Sequence, residues 1–558
     1  MPDGQILSEP IGEPAPDRRT GYRPRNRRRV LCVFPRYAPS FGTFQHAYPL
    51  IPKVKAFMPP QGLLLIAAYL PAEWEVRFID ENRQPASAAD LAWADAVFIS
   101  GMHVQRRFID DINDRAQALG KVTVLGGPSV SACAAYYPEL DMLHVGELGD
   151  ATDAIIAHLD DSLERPERQL VFTTGTRTPL NEFPAPAYHH VDMRDYFLGS
   201  IQYSSGCPYR CEFCDIPMLY GRNPRLKEPA QILRELDTIV ANGALGAVYF
   251  VDDNFIGNQK AARELMPHLI RWQKANGYPL RFACEATLNM AQMEDLLAQM
   301  REAAFHTVFV GIETPEEAAL EAMLKKQNLR MPILEAVQTF NRYGMEVVSG
   351  IIMGLDTDHE RTGENILKFI EASDIPLLTI NLLYALPKTP LYDRLEREGR
   401  VLSDDEASNK VSNVRFKMPY EQAVRMWYDT ITQAYTPENL LKRFAYQVDA
   451  TFPNRLQVRP KTTRAHLVHG LGLMARILWH CGIRGTWRRQ FWGMALPLLR
   501  RGNIEAVINI AIVSHHLISF VDEIKAGKHE ACFYADPSSS TMDASQSLAS
   551  DEARRAVA

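Results

Sequence analysis

From Val30 onward, short apolar runs alternate with stretches of helical period. Val30–Phe34, Trp74–Ile79, Ala96–Ser100, Val122–Leu125 and Met142–Val145 read as strands, with helices over Gln61–Leu70 and Asp110–Leu119. Strands and helices in strict alternation predict a parallel sheet with helices on both faces, so residues 30–165 are expected to form a Rossmann-like α/β domain. Residues 166–198, punctuated by Pro179, Pro184 and Pro186, read as an irregular linker. A second series follows over 199–411. Its strands are Ser200–Tyr203, Ala247–Val251, Arg281–Glu285, Thr307–Gly311, Glu346–Ile352 and Leu377–Leu382, with helices between them such as Pro229–Ala241, Gln259–Ala275, Met290–Ala303, Pro332–Tyr343 and Arg361–Ser373. Six such units predict an open, partial (β/α)6 barrel with its chemistry at the C-terminal strand ends. From about Ser412 to residue 530 the pattern turns helical, and residues 1–29 and 531–558 read as disordered tails.

Composition adds bounds to this picture. At 558 residues the chain is too long for a single core. A net charge of −6 gives no general attraction for nucleic acid, so none is expected as a partner. The polar, Arg-rich start lacks an apolar signal core, and a reducing cytoplasm is the expected location. No uninterrupted apolar run is long enough to span a bilayer; Ile504–Phe520 comes nearest but contains Glu505, Asn509, His515 and His516, and is expected to be a buried or interfacial helix. Charge is unevenly placed: between Asp449 and Glu505 there is no carboxylate but ten Lys and Arg, interleaved with groups such as Phe491, Trp492 and Leu496.

Of eight cysteines, three are bunched in Ser204-Ser205-Gly206-Cys207-Pro208-Tyr209-Arg210-Cys211-Glu212-Phe213-Cys214-Asp215. This C-x3-C-x2-C loop directly follows the first barrel strand. Three thiolates on one short loop can hold three corners of an iron–sulfur cube, leaving the fourth iron open to a chelating ligand. A zinc site would want a fourth Cys or His at matched spacing, and Cys284 stands alone on a strand. Metal ligation of a [4Fe–4S] cluster is therefore assigned to Cys207, Cys211 and Cys214. In the first domain, Ser100-Gly101-Met102-His103, Gly126-Gly127-Pro128-Ser129 and Val145-Gly146-Glu147 all stand at strand ends, where glycine admits a ligand close to the backbone. Each is also readable as a tight βα turn.

The cysteine spacing, with Phe213 as its aromatic and six βα units behind it, resembles the radical S-adenosylmethionine superfamily. The resemblance implies that the methionyl amine and carboxylate chelate the open iron, and that reductive cleavage yields a 5′-deoxyadenosyl radical able to take hydrogen from an unactivated carbon. It further implies S-adenosylmethionine contacts at Phe213, at Asp253 for the amine (in place of the usual Gly-Gly-Glu), at Glu285, at Glu313 for the ribose, and at Gly350 and Gly354 for the adenine. A Rossmann-like domain ahead of such a barrel resembles the cobalamin-binding class, implying cobalamin between the domains near His103, Gly126, Gly127, Ser129, Gly146 and Glu147. The D-x-H-x-x-G motif of cobalamin mutases is absent, so His103 is expected at the ring edge or in a structural role rather than on cobalt.

Phe41-Gly42-Thr43-Phe44, Ala56-Phe57-Met58-Pro59-Pro60-Gln61-Gly62, Phe78-Ile79-Asp80-Glu81-Asn82 and Asp252-Asp253-Asn254-Phe255 are together similar to the hopanoid C-2 methylases, from about Arg29 to about residue 525. This implies hydrogen abstraction from a saturated ring carbon, then methyl transfer from methylcobalamin, with a one-electron reductant such as flavodoxin or ferredoxin as partner. The same machinery acting on a tetrapyrrole or another natural-product scaffold is the alternative, and a non-catalytic cluster or cobalamin sensor a second. A methylthiotransferase is disfavoured because no second cysteine set is present. Two readings of the basic C-terminal region stay open: a peripheral contact with an anionic inner-membrane leaflet, or a helical cap on the barrel.

Overall fold

The computed structural model describes residues 22–243, 246–407, 410–458 and 464–527. Two six-stranded parallel sheets dominate it. The first is built from β1 (Arg29–Phe34), β2 (Glu75–Asp80), β3 (Ala96–Ser100), β4 (Val122–Gly126), β5 (Met142–Val145) and β6 (Leu170–Thr173), in the order β2-β1-β3-β4-β5-β6. Its strands are near-continuously apolar because both faces are covered. Leu31, Val33, Val97, Ile99 and Leu125 pack into a core on one face. Cys32, Phe34, Phe98 and Val124 point the other way, into a core continuous with the barrel and the C-terminal helices.

The second sheet runs from β7 (Gly199–Ile201) through β8 (Ala247–Phe250), β9 (Arg281–Ala286), β10 (Phe305–Glu313) and β11 (Glu346–Met353) to β12 (Leu377–Leu382), each hydrogen-bonded to the next. The expected strands are all present, to within about two residues at each end. The sheet is open between β7 and β12. The helix Ile504–Lys525, long and apolar enough to cross a membrane, is instead two-thirds buried. It lies against the turn Gln45–Leu50 of the first domain, where His516 Nε2 meets the Phe41 carbonyl at 3.1 Å.

Two expectations need correction. Residues 166–198 are not simply an irregular linker. Leu170–Thr173 is the edge strand of the first sheet, and Phe183, Tyr188 and Tyr196 are buried between the domains. Phe197 and Leu198 donate to the carbonyls of Ala56 and Phe57 at 2.9 Å, so the segment straps one domain to the other. Nor is the whole of 1–29 a free tail: Arg25 and Asn26 donate their backbone N–H groups to Asp160, each at 2.8 Å, at the end of a helix. Residues 1–21 and the C-terminal tail from 531 lie outside the described residues.

Candidate functional site

The cysteine loop leaves β7 through Gly206, whose φ of +102° is strained for any other residue and whose missing Cβ would meet the Gly221 carbonyl at 2.9 Å. Two carboxylates, Asp252 buried and Asp253 half-buried, clasp the backbone just ahead of it. Asp252 accepts from the N–H groups of Tyr203 and Ser204, and Asp253 from that of Gly206 at 2.6 Å. Burial raises both acids, Asp252 to about 6 and Asp253 to about 7, the latter helped by Asp252 and Glu147 nearby. Within the loop, Glu212 donates its N–H to the Met323 carbonyl (3.0 Å), accepts from Leu391 N–H (2.9 Å) and pairs with Arg394 (2.6 Å). The loop is thus held from three sides.

Its sulfurs are free thiols. Cys207 faces the Asn254 amide at 3.9 Å and Cys211 that of Gln327 at 3.3 Å, while burial pushes the Cys207 and Cys214 thiols up. Among the described residues no three His, Cys, Asp or Glu side chains converge on a single metal ion. A cubane asks for something different, one thiolate per iron corner, and three neighbouring, unbridged cysteines on a braced loop fit that demand.

Around this loop lie the expected strand-end residues. Glu285 is half-buried, accepts from the Tyr249 hydroxyl at 3.3 Å, and is pushed up to about 7 by desolvation and then by Asp253. Glu313 forms a buried ion pair with Lys325, whose ammonium lies 5.3 Å from the centre of the Phe213 ring. Gly350 faces Glu313, its absent Cβ 3.7 Å from Oε2. At Gly354 the Phe416 ring occupies the space a side chain would need. Phe213, Ile352 and Phe416 pack on one apolar cluster. Lys325, Phe416, Asp252 and Glu212 were not singled out by sequence reasoning. Lys325 and Phe416 carry no local pattern and reach the site only through the fold. Asp252 stood in plain view beside Asp253, and Glu212 inside the cysteine motif.

In the first domain, Gly127 has a φ of +98°, and a Cβ there would lie 2.7 Å from the Ser100 hydroxyl and 3.1 Å from the Gly101 carbonyl. Gly126, Gly127, Gly146 and Glu147 line one cavity together with Asp253 and Glu285 of the barrel; its volume is about 1700 Å³. Glu147 is already committed: Arg225 (2.6 Å), Arg177 (3.0 Å) and Ser205 (3.2 Å) hold its carboxylate, which ties the first domain to the cysteine loop. Ser129 and His103 sit behind the glycine turn rather than in the cavity wall. The Ser129 hydroxyl bridges His103 Nδ1 (3.0 Å) and the Tyr137 hydroxyl (2.5 Å), and burial lowers His103 to about 4, so its ring is neutral. His103 Nε2 is buried without a hydrogen-bond partner among the described residues. An open glycine-lined cradle facing a cavity of this size accommodates a large planar cofactor.

Known proteins agree with this geometry. Residues 201–370 match the radical SAM superfamily, 49–156 a B12 binding domain, and 389–530 a domain of unknown function, DUF4070. The chain is 58% identical over 510 residues to the hopanoid C-2 methylase of Rhodopseudomonas palustris (strain TIE-1), covering 91% of this chain and 96% of that protein. Among solved structures, the cobalamin-dependent S-adenosylmethionine radical enzyme OxsB superposes with a TM-score of 0.53 at 14% identity, covering 94% of this chain and 84% of that one. The radical S-adenosylmethionine methyltransferase TsrM from Kitasatospora setae superposes with a TM-score of 0.52 at 18% identity, covering 87% and 99%. At those identities the likeness is one of fold.

Proposed function

This chain belongs to the hopanoid C-2 methylase family, and from that premise we propose that it places a methyl group on C-2 of a hopanoid ring. It is a cobalamin-dependent radical S-adenosylmethionine C-methyltransferase. When bound, the [4Fe–4S] cluster, S-adenosylmethionine and cobalamin supply what a saturated ring carbon requires, a radical able to take its hydrogen and a methyl group to replace it. One observation carries the proposal: a single cavity joins the glycine turns of the first sheet to the carboxylate-bearing strand ends of the barrel, and is walled by apolar side chains such as Phe44, Phe57, Ile508 and Ile512. A methyl donor on one side, a radical source on the other and a greasy substrate between them fit that arrangement.

The residues then divide the work. Cys207, Cys211 and Cys214 hold the cluster. Asp252, Asp253 and Glu212 keep its loop in place. Phe213, Glu285, Glu313, Gly350 and Gly354 surround S-adenosylmethionine, with Lys325 fixing the Glu313 carboxylate. Gly126, Gly127 and Gly146 admit cobalamin, Ser129 and His103 brace the turn from behind, and Glu147 holds the two domains in register. The apolar wall keeps water from the radical. A one-electron reductant is required, with flavodoxin or ferredoxin the expected class.

Deletion of the gene in a hopanoid producer, followed by lipid profiling, tests the substrate: loss of 2-methylhopanoids is expected, and their persistence would reject it. We also place the protein in the cytoplasm, touching the inner membrane through its C-terminal region. Leu471, Trp479, Ile483 and Leu496 are 44–71% exposed there, on a stretch whose only described charges are Arg and His. Flotation with anionic liposomes at low salt should carry the protein upward; absence of association would remove this part of the reading.

A further inference from the structure

The cavity does not end at the reacting centre. It continues down the barrel lumen, past Phe309 and Val348, to the first residues of the strands, where Arg281, His306 and Glu346 line it together with Arg455 and Glu505. One face of the helix Ile504–Lys525 forms part of its wall. Glu505, Ile508, Asn509, Ile512 and Val513 recur at helical spacing along it. The upper part of this face is apolar and the lower part polar.

The polar end is buried and under-satisfied. Glu346 is 6% exposed, and its Oε2 has no hydrogen-bond partner among the described residues; Arg455 stands 3.8 Å away, an ion-pair distance without a bond. Arg455 gives weak bonds to the carbonyls of Gly344 (3.2 Å) and His306 (3.4 Å). The Asn509 side chain, on the cavity wall, has no partner among the described residues. Burial raises Glu346 and lowers the His306 ring to about 2, so the imidazole is neutral. Arg281 and Glu505 close the end at the surface with a 2.5 Å ion pair. Stability alone does not account for a carboxylate left half-paired beside an open cavity, since burying an unsatisfied acceptor is costly.

We propose that Glu346, Arg455 and Asn509 form a hydroxyl-binding subsite for the polar side chain of the hopanoid. This rests on the methylase reading above. Ring A, with the reacting carbon, lies at one end of the pentacycle, and the side chain extends from the other. With ring A at the barrel mouth, the apolar lumen takes the fused rings and a polyol tail reaches the charged end. There its hydroxyls donate to Glu346 Oε2 and accept from Arg455. The enzyme then distinguishes hopanoids by their tails, far from the carbon it modifies.

Equilibrium binding to the full-length protein in detergent, using a hopane with a polyhydroxylated side chain and the parent hydrocarbon, tests this. The polyol is expected to bind at least about tenfold more tightly, one charge-assisted hydrogen bond's worth. That ratio should fall towards one in both Glu346→Gln and Asn509→Leu. Affinity for the parent hydrocarbon, which both substitutions should leave at the wild-type value, reports that each variant is folded. Equal affinity of the wild type for the two compounds, or an unchanged ratio in both variants, would overturn the subsite. The methylase reading is tested separately in the same samples: failure to methylate either compound, with the binding ratio intact, would reject that reading and keep the subsite.

Discussion

Replacing Gly127 by alanine introduces a methyl group 2.7 Å from the Ser100 hydroxyl oxygen and 3.1–3.2 Å from the Gly101 carbonyl and N–H. The hydroxyl can rotate away, but the backbone contacts oblige the turn to shift by a few tenths of an ångström. The φ of +98° adds about 1–2 kcal/mol of strain for a residue bearing Cβ. Together the two effects are worth about 2–4 kcal/mol. If the native turn is the cobalamin-binding shape, most of that is a loss of affinity, about 30- to 1000-fold. The barrel shares no backbone with this turn, so the cluster should be unaffected. The assay is gel filtration of reconstituted protein, reading cobalamin and cluster absorbance in the same fraction, with 5′-deoxyadenosine formation measured alongside. The expected variant keeps its cluster and still cleaves S-adenosylmethionine but carries little cobalamin and makes no methylated product. Wild-type cobalamin content in Gly127→Ala would refute the reasoning.

Three further outcomes follow from the same geometry. Cys211→Ala should abolish cluster incorporation and 5′-deoxyadenosine formation together, and retained cleavage would contradict the ligand assignment. Lys325→Met leaves Glu313 buried without its cation and should cost about 3–5 kcal/mol in urea denaturation, part of which Lys325→Met/Glu313→Gln should restore. The cofactor-free protein should lose stability as pH rises from about 4 to 7. Asp253 and Glu285 are pushed up to about 7, so the folded state holds protons the unfolded chain has released, and each group contributes a fall of up to about 1.4 kcal/mol per pH unit. Asp356 acts in the opposite sense at lower pH. Despite its partial burial, Arg400 and Arg394 hold it near 2, and the stability this gives above pH 4 is lost as pH falls towards 2. A melting temperature that climbs between pH 5 and 8 would contradict the reading of the buried acids.

The strand–helix alternation was legible because both sheets are parallel and covered on both faces, which makes strands uniformly apolar and sets them apart from their amphipathic helices. The three-cysteine loop was legible because Cys207, Cys211 and Cys214 stand within eight residues. Leu170–Thr173 was missed: four residues at a sheet edge, alternately half-buried and exposed, carry almost no pattern. Tyr22 to Arg28 looked like a charged tail because their partner, Asp160, is over 130 residues away. Arg225 and Arg455 were hidden likewise, because the carboxylates the fold brings to them, Glu147 and Glu346, are remote in sequence; Lys325 lies only 12 residues from Glu313, but no local pattern marks the pair. Glu147 shows the converse: its place at a strand end suggested a ligand contact, and the fold also brings Arg177 and, from the barrel, Arg225 to its carboxylate.

The central claim, that this chain methylates C-2 of a hopanoid, is tested most directly by one turnover experiment. Protein reconstituted with cluster and cobalamin is incubated with a hopanoid, a reductant and S-adenosylmethionine labelled in its methyl group. The account predicts a 2-methylhopanoid bearing the label, with 5′-deoxyadenosine and S-adenosylhomocysteine formed in equal amounts. Formation of 5′-deoxyadenosine with no labelled hopanoid, from protein replete in all three cofactors, would contradict it.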